Sequence, residues 1–249
     1  FFFHPHPPNP DPLWSRGLGD VYKRQHDGTV PFAGMNTDAG IPQKANFTTS
    51  DGVSLEGEFL IPASTRAIAV LSHPHPLYGG DMHNNVVQAL FEALPEASIA
   101  TLRYNFRGVR NSGGTHGDGK LEVLDAQAAF ECAVNLMRST PLFSVGYSFG
   151  ADVSLTASET ALAGWVGIAT PLALLEPAQM TAGSDERPTL LLVPENDQFR
   201  SFNEAQSISA EWAETKIEEI PQADHFLVGR TQPVVDLVNS FIAETVGFS

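Results

Sequence analysis

Short apolar runs recur along the chain between turn-forming residues, and the longer stretches between them place apolar residues at helical spacing. Runs of about four to eight apolar residues bounded by turn residues predict buried strands. The first two runs are separated by Asp51 and Gly52, a turn dipeptide that predicts an antiparallel hairpin. The predicted strands cover residues 47–50, 53–61, 67–72, 99–104, 142–145, 162–169, 189–193 and 215–220.

Apolar residues spaced three and four apart predict helices between these strands. The predicted helices cover residues 86–94, 121–137, 151–159 and 201–214, and Pro233 opens a last helix with Val234, Val238, Phe241 and Ile242 facing inward. Strands that alternate with helices are typical of an α/β fold, in which helices cover both faces of a mostly parallel sheet. Residues 170–188 lack a clear pattern and are too few for a helical cap domain.

Residues 1–34 differ in composition from the rest of the chain. They hold six prolines and a run of three phenylalanines, and they show no usable periodicity. Residues 12–25 resemble translated read-through from a sequencing adapter, and a genuine disordered extension is the alternative. We therefore expect residues 1–34 to be a disordered or artefactual extension, Met35 to be the natural start, and residues 35–249 to form one domain.

Composition and charge restrict the class of protein. Of the 249 residues, 42% are hydrophobic, which is enough for one sizeable core. The net charge of −15 disfavours nucleic acids and anionic membranes as partners, and no apolar run approaches the roughly 20 residues that span a bilayer. The single cysteine, Cys132, excludes an internal disulfide and suits a reducing compartment, so we expect a cytoplasmic location.

The strongest candidate for chemistry is a Gly-x-Ser-x-Gly motif at residues 146–150, between a predicted strand and a predicted helix. This context is typical of a nucleophile elbow, a tight turn that holds a serine in strained backbone geometry. The motif predicts Ser148 as a nucleophile. It also places the main-chain N–H of Phe149 at a helix N-terminus, where it can bind a developing oxyanion.

A serine nucleophile needs a base and an acid that orients the base. Asp197 follows the predicted strand 189–193, and His225 follows the predicted strand 215–220. Because both loops leave the same edge of a parallel sheet as the serine turn, Asp197 is the favoured acid and His225 the favoured base. The alternatives are Glu195 and Asp224 for the acid and, for the base, His73, His75, His83 and His116.

The loop after the strand 67–72 must supply the second donor of an oxyanion hole. Pro74 and Pro76 have no N–H to give. If residues 75–79 play the part of a His-Gly-x-x-Gly oxyanion loop, the amide of Leu77 is the candidate donor. Tyr78 in the same loop and Tyr147 beside the serine are candidates to line the substrate pocket.

A metal site is the rival interpretation of the same loop. His73 and His75 could point the same way, with Asp81 and His83 close behind them. The prolines instead stiffen a loop that the oxyanion-hole interpretation already explains, so we expect neither a metal nor a cofactor.

Four motifs in order carry a family resemblance, which covers about residue 46 to the end of the chain. They are His-Pro-His-Pro-Leu-Tyr-Gly-Gly at 73–80, Arg-Tyr-Asn-Phe-Arg-Gly-Val-Arg-Asn-Ser-Gly-Gly at 103–114, the serine motif at 146–150, and Asp-His-Phe at 224–226. Together they resemble the small lidless bacterial α/β-hydrolases near the dienelactone-hydrolase and acyl-peptidase branches. The chain departs from the usual Arg-Gly-x-Gly-x-Ser pattern by carrying Arg110 at the second glycine.

The resemblance implies an α/β-hydrolase fold with an eight-stranded, mostly parallel sheet and no large cap domain, with Ser148, Asp197 and His225 as a catalytic triad. Dienelactone hydrolases use cysteine, so the serine here points to a small-molecule ester or thioester, cleaved through an acyl-enzyme. Alternatives are a peptidase or lyase on the same triad, or a binding protein that keeps the fold without catalysis. An uncapped, open site favours small or short-chain acyl groups.

Deleting residues 1–34 should leave the fold and any esterase activity unchanged, because the segment supplies no apolar face for a core. The measurement is the melting temperature and the ester hydrolysis rate of the full and truncated chains. A large drop in melting temperature on truncation would contradict this expectation.

Overall fold

The computed structural model describes residues 40–248, and the extension expected at residues 1–34 lies outside this part. The described residues form an eight-stranded sheet with the order β1-β2-β4-β3-β5-β6-β7-β8. β1 pairs antiparallel with β2, β2 pairs antiparallel with β4, and every other neighbouring pair is parallel. The strands are β1 Gln43–Thr48, β2 Ser54–Leu60, β3 Ala67–Ser72, β4 Ile99–Tyr104, β5 Leu142–Tyr147, β6 Leu162–Ile168, β7 Thr189–Asn196 and β8 Thr215–Asp224.

Helices follow the parallel strands. They are α1 Asn85–Ala93, α2 Glu122–Leu136, α3 Phe149–Thr156, α4 Thr181–Ser184, α5 Phe202–Ile208 and α6 Thr231–Val246. α1 packs against α6, and α2 packs against α3. The predicted mostly parallel α/β sheet is therefore confirmed. No helix within residues 40–248 is long and apolar enough to cross a membrane.

Several helix boundaries differ from the sequence prediction. The helix expected over 151–159 spans Phe149–Thr156. The helix expected over 201–214 ends at Ile208, after which Ser209 and the following residues form turns. Pro233 does not open the last helix, which begins two residues earlier at Thr231 and has the proline in its first turn. A proline is tolerated there because the first N–H groups of a helix have no partner within the helix.

The central strands and the helices share a continuous apolar core. Every residue of β3, β4 and β5 is buried, as expected for parallel strands covered on both faces. The four residues predicted to face inward from the last helix are all buried, namely Val234, Val238, Phe241 and Ile242. Cys132 is buried as well, and this burial raises the pKa of its thiol to about 12.

The register of the sheet brings five strand ends to one edge. Ser72 at the end of β3 pairs with Gly146, and Tyr147 at the end of β5 pairs with Ile168. At the far side, Asn196 of β7 pairs with Asp224 of β8. The loops that follow these strands therefore start side by side. Between β6 and β7 the chain forms a 3-10 turn and the four-residue α4, so no cap domain is inserted there.

The Gly150→Ala variant should be destabilised by at least about 2 kcal/mol, because a Cβ at this position would lie 2.4 Å from the carbonyl oxygen of Ser72 and 2.5 Å from that of His73. These are backbone atoms, which cannot rotate away as a side chain could. Without this clash, alanine in place of glycine in a helix would stabilise the protein by up to about 1 kcal/mol. Urea unfolding measures the change.

Gly113→Ala is the matched control, since its Cβ would meet nothing closer than 3.5 Å. Equal stability of the Gly150→Ala and Gly113→Ala proteins would show that the approach of the β3 end to α3 is not a packing constraint.

Candidate active site

Ser148 occupies a strained turn between β5 and α3. Its backbone has φ 54° and ψ −121°, a conformation that an L-residue rarely adopts. The Ser148 N–H donates to the carbonyl of Ile168 at 2.8 Å, which fixes the turn to the end of β6. A Cβ on Gly146 would lie 2.3 Å from the carbonyl oxygen of Gly150, so the close approach of the two chain segments excludes side chains at both ends of the motif.

Three side chains form a continuous hydrogen-bonded chain at this edge of the sheet. The Oγ of Ser148 lies 2.8 Å from Nε2 of His225, and Nδ1 of His225 lies 2.9 Å from Oδ2 of Asp197. Ser148 and His225 are buried residues, and the side chain of Asp197 is almost fully covered. The structure thus brings the three predicted triad residues together. This order of contacts allows a proton to pass from the hydroxyl to the imidazole.

The contacts of the three candidate acids distinguish them. Oδ1 of Asp197 accepts from the main-chain N–H of Phe199 at 2.7 Å, which leaves Oδ2 aimed at the imidazole. Asp224 accepts from the main-chain N–H of Phe226, and Glu195 accepts from that of Gln222. Asp224 therefore stabilises a local turn and Glu195 bonds to β8, and neither carboxylate has a hydrogen bond to the imidazole.

β8 is longer than predicted. It continues through Asp224, so His225 follows the strand directly instead of lying within a loop. The hydroxyl of Tyr147 donates to the carbonyl of His225 at 2.8 Å and holds this position from the side of β5.

The expectation that Tyr147 lines the substrate pocket is therefore corrected. Its side chain is buried, with an exposed fraction of 3%, because it extends into the core and its hydroxyl finds a main-chain acceptor there. Burial raises the pKa of its phenol, so the group stays a neutral donor. Tyr147 positions His225, whereas Tyr78 is 88% exposed and stays available to a substrate.

The imidazole of His73 braces the loop after β3. It is fully buried, with Nδ1 2.6 Å from the carbonyl oxygen of Pro74, while Nε2 accepts from the main-chain N–H of Phe106 at 3.1 Å. Burial lowers its pKa to about 4, so the ring is neutral. Both ring nitrogens are engaged by backbone groups, which removes His73 from the rival metal site. No group of three metal-binding side chains occurs within residues 40–248.

The structure also revises the predicted oxyanion donor. The N–H of Leu77 donates to Nδ1 of its neighbour His75 at 3.2 Å and is therefore occupied. Within the described part of the chain, the main-chain N–H of His75 has no acceptor. The His75 ring lies 4.7 Å from the ring of Phe149, whose own N–H is the first of α3 and has no partner within the helix. The sequence reasoning did not consider His75, because it matched residues 75–79 to a His-Gly-x-x-Gly loop in which the residue at the position of Leu77 is the donor.

The histidine pair beside Phe149 is part of the loop scaffold. The rings of His75 and His116 lie 5.0 Å apart, and burial lowers the pKa of His75. Nδ1 of His116 is 2.9 Å from the buried carboxylate of Glu122. That carboxylate accepts hydrogen bonds from the main-chain N–H groups of Gly117 and Gly119.

Arg110 adopts the geometry of the glycine that it replaces. Its φ is 50°, in the left-handed region that favours glycine, and its guanidinium bonds to Asp81. Arg107 in the same loop is buried between Asp125 and Asp51. Arg110 also lines a cavity of about 500 Å³ beside Leu77.

Asp152 is a buried carboxylate near the site that the sequence analysis did not identify. Its buried carboxylate accepts from the hydroxyl of Thr170 and from the N–H groups of three consecutive residues, Leu172, Ala173 and Leu174. Burial raises the pKa of Asp152, and these hydrogen bonds act against that shift. The carboxylate fixes the loop after β6 to the serine helix. An acid within an otherwise apolar helical run was the signal in the sequence.

Comparisons with known proteins place this geometry in context. No family model matches the chain. An uncharacterized protein of Rickettsia prowazekii is 29% identical over 199 residues, which cover 76% of this chain and 84% of that protein.

Solved structures match more completely. A serine hydrolase homologue from Coxiella burnetii has a TM-score of 0.73 at 26% identity and covers 81% of this chain and 97% of its own. A serine hydrolase without a lid from Xanthomonas campestris has a TM-score of 0.71 at 23% identity and covers 82% and 93%. The resemblance inferred from the motifs is confirmed at the level of the fold.

Asp197→Asn should lower kcat for ester hydrolysis by about a thousandfold or more, because the amide cannot stabilise an imidazolium and can present its NH₂ group to Nδ1. The matched control is Asp224→Asn, which should stay within about threefold of the original kcat because its carboxylate contacts a turn. Comparable losses in both variants would mean that the hydrogen-bond pattern does not identify the acid.

Proposed function

We propose that this chain, which has the fold of the small lidless α/β-hydrolases, is a serine hydrolase that cleaves small carboxylic esters or thioesters. The serine hydrolases among its structural neighbours support a hydrolase activity in general. The observation that carries the finer proposal is the hydrogen-bonded chain from Ser148 through His225 to Asp197, built on a strained turn.

Acylation begins when Oγ of Ser148 attacks the substrate carbonyl carbon while Nε2 of His225 takes the hydroxyl proton. Asp197 stabilises the imidazolium and holds it in orientation through the bond at Nδ1. The tetrahedral intermediate then collapses, the carbonyl re-forms, and His225 returns the proton to the departing alkoxide or thiolate. Water attacks the acyl-enzyme by the same route and releases the acid.

The oxyanion of each tetrahedral intermediate is bound by main-chain N–H groups of Phe149 and His75. Both groups lack a protein acceptor within residues 40–248, and the rings of the two residues are in contact. Donors that are fixed before the reaction stabilise the developing charge without reorganising. The N-terminus of α3 adds a favourable dipole at the same place.

A peptidase or lyase would use the same triad, and no contact in the site favours either over ester cleavage. A binding protein without catalysis is disfavoured by the short Ser148 to His225 contact, which a binding scaffold does not require. The absence of a cap between β6 and β7 leaves the serine turn open to small substrates.

Ser148→Ala should abolish ester hydrolysis, with a loss of about ten-thousandfold or more in kcat and no loss of the fold. The measurement uses a panel of p-nitrophenyl esters together with covalent labelling by a fluorophosphonate, which should modify the original protein and not the variant. Near-full activity of Ser148→Ala on every ester would mean that another residue is the nucleophile.

Chelation provides an independent check. Prolonged treatment with EDTA should leave the rate unchanged, because the proposed chemistry uses no metal. His225→Ala should be as damaging as Ser148→Ala, since the two groups act as one unit. Loss of activity on chelation together with resistance to the fluorophosphonate would favour a metal-dependent reaction.

A further inference from the structure

Exposed apolar side chains are concentrated on one part of the surface. Within residues 40–248, all the large exposed hydrophobic residues except Ile41 lie in segments that follow β3, β4, β6, β7 or β8. They are Leu77, Tyr78, Leu121, Leu174, Phe199, Phe226 and Val228. Single exposed apolar residues are ordinary, whereas a set gathered at one edge of a sheet, beside a reactive serine, indicates a binding surface.

Two of these residues contact the base itself. The ring of Phe199 lies 4.4 Å from the imidazole of His225, and the ring of Phe226 lies 5.7 Å away at nearly a right angle. Their exposed fractions are 60% and 57%, so each residue contacts the imidazole while much of it stays open to solvent. The two aromatic rings thus flank His225, and we refer to them as the aromatic pair.

The backbone holds both aromatic residues in place. The N–H of Phe199 donates to Asp197, and the N–H of Phe226 donates to Asp224. The carbonyl of Phe226 also accepts from the side-chain amide of Asn85 at 3.4 Å. The pair is therefore positioned before a substrate arrives, which lowers the entropic cost of binding against it.

The chemistry of the triad decides which part of an ester meets this pair. The acyl group stays bonded to Ser148 after the first step, whereas the leaving oxygen must come within hydrogen-bonding distance of Nε2 of His225 to receive its proton. The carbon atoms attached to that oxygen consequently pass beside the imidazole. The aromatic pair flanks that imidazole, so it contacts the leaving group.

We propose that Phe199 and Phe226 form the leaving-group subsite, and that the chain prefers esters of bulky apolar alcohols, such as benzyl esters, over methyl esters of the same acid. This inference rests on the proposed function, because it assumes that His225 protonates the leaving group. An aromatic group stacked on the pair removes apolar surface from water on both partners.

The experiment compares benzyl acetate with methyl acetate, followed by acid release in a pH-stat. The two alcohols are similarly basic, so their intrinsic leaving abilities are similar and a difference in kcat/KM reports contacts. We expect a benzyl-to-methyl ratio of at least about tenfold for the original protein. Phe199→Ala and Phe226→Ala should each lower that ratio by roughly threefold to tenfold, because the loss of kcat/KM should be larger for benzyl acetate than for methyl acetate.

Ile41→Ala is the matched control, because Ile41 is an equally exposed apolar residue that precedes β1, at the opposite end of the sheet from β8. Its ratio should equal that of the original protein. Measuring two separate aromatic variants keeps the test valid if one of them fails to fold.

Inhibition by the free alcohols gives a second measurement of the same contact. Benzyl alcohol should inhibit the original protein far more strongly than methanol.

Other outcomes would overturn the inference. A benzyl-to-methyl ratio near one in the original protein would show that the pair does not contact the leaving group. Equal losses on both esters in Phe199→Ala would show that the ring acts on the imidazole instead. Failure of the proposed function is distinguishable, since neither acetate would then be hydrolysed and Ser148→Ala would change nothing.

Discussion

The close approach of the serine turn to its neighbours is the constraint on which the rest of the site depends. Gly150 lies against the carbonyl oxygens at the end of β3, and the N–H of Ser148 bonds to the end of β6. A backbone conformation like that of Ser148 costs about 1–3 kcal/mol and persists only where the surrounding structure enforces it. Because neighbouring strand ends supply those contacts, the hydroxyl position is set by the register of the sheet.

Buried carboxylates hold the surrounding loops in place by hydrogen bonds. Glu122 and Asp125 in the first turn of α2, and Asp152 in the first turn of α3, are fully buried and accept hydrogen bonds from loop N–H groups. Acidic groups near helix N-termini are also favoured by the helix dipole. Some of the acidic residues that give the chain its net charge of −15 therefore lie inside the protein, where they hold loops in place.

The sequence was sufficient for the features that depend on local pattern. The limits of β3 and β4 agree with the apolar runs 67–72 and 99–104, and the position of Asp197 after a core strand led directly to its contact with His225. Features that depend on the direction of a side chain could not be predicted from the sequence. Tyr147 follows the strand pattern of β5 and turns into the core, and the Leu77 amide is engaged by a neighbouring imidazole. Neither outcome has a signal in residue spacing.

The loops of the site thus show a division of roles. Their polar side chains fix the backbone by hydrogen bonds, and their apolar side chains stay exposed to solvent. Asp197 illustrates the division, because one oxygen orients His225 and the other holds the N–H of Phe199, whose ring then lies over that imidazole. The residue that sets the orientation of the base thus also sets the position of an apolar surface beside it. The orientation of the imidazole and the placement of the Phe199 backbone therefore depend on the same carboxylate, and a change at Asp197 cannot alter one without the other.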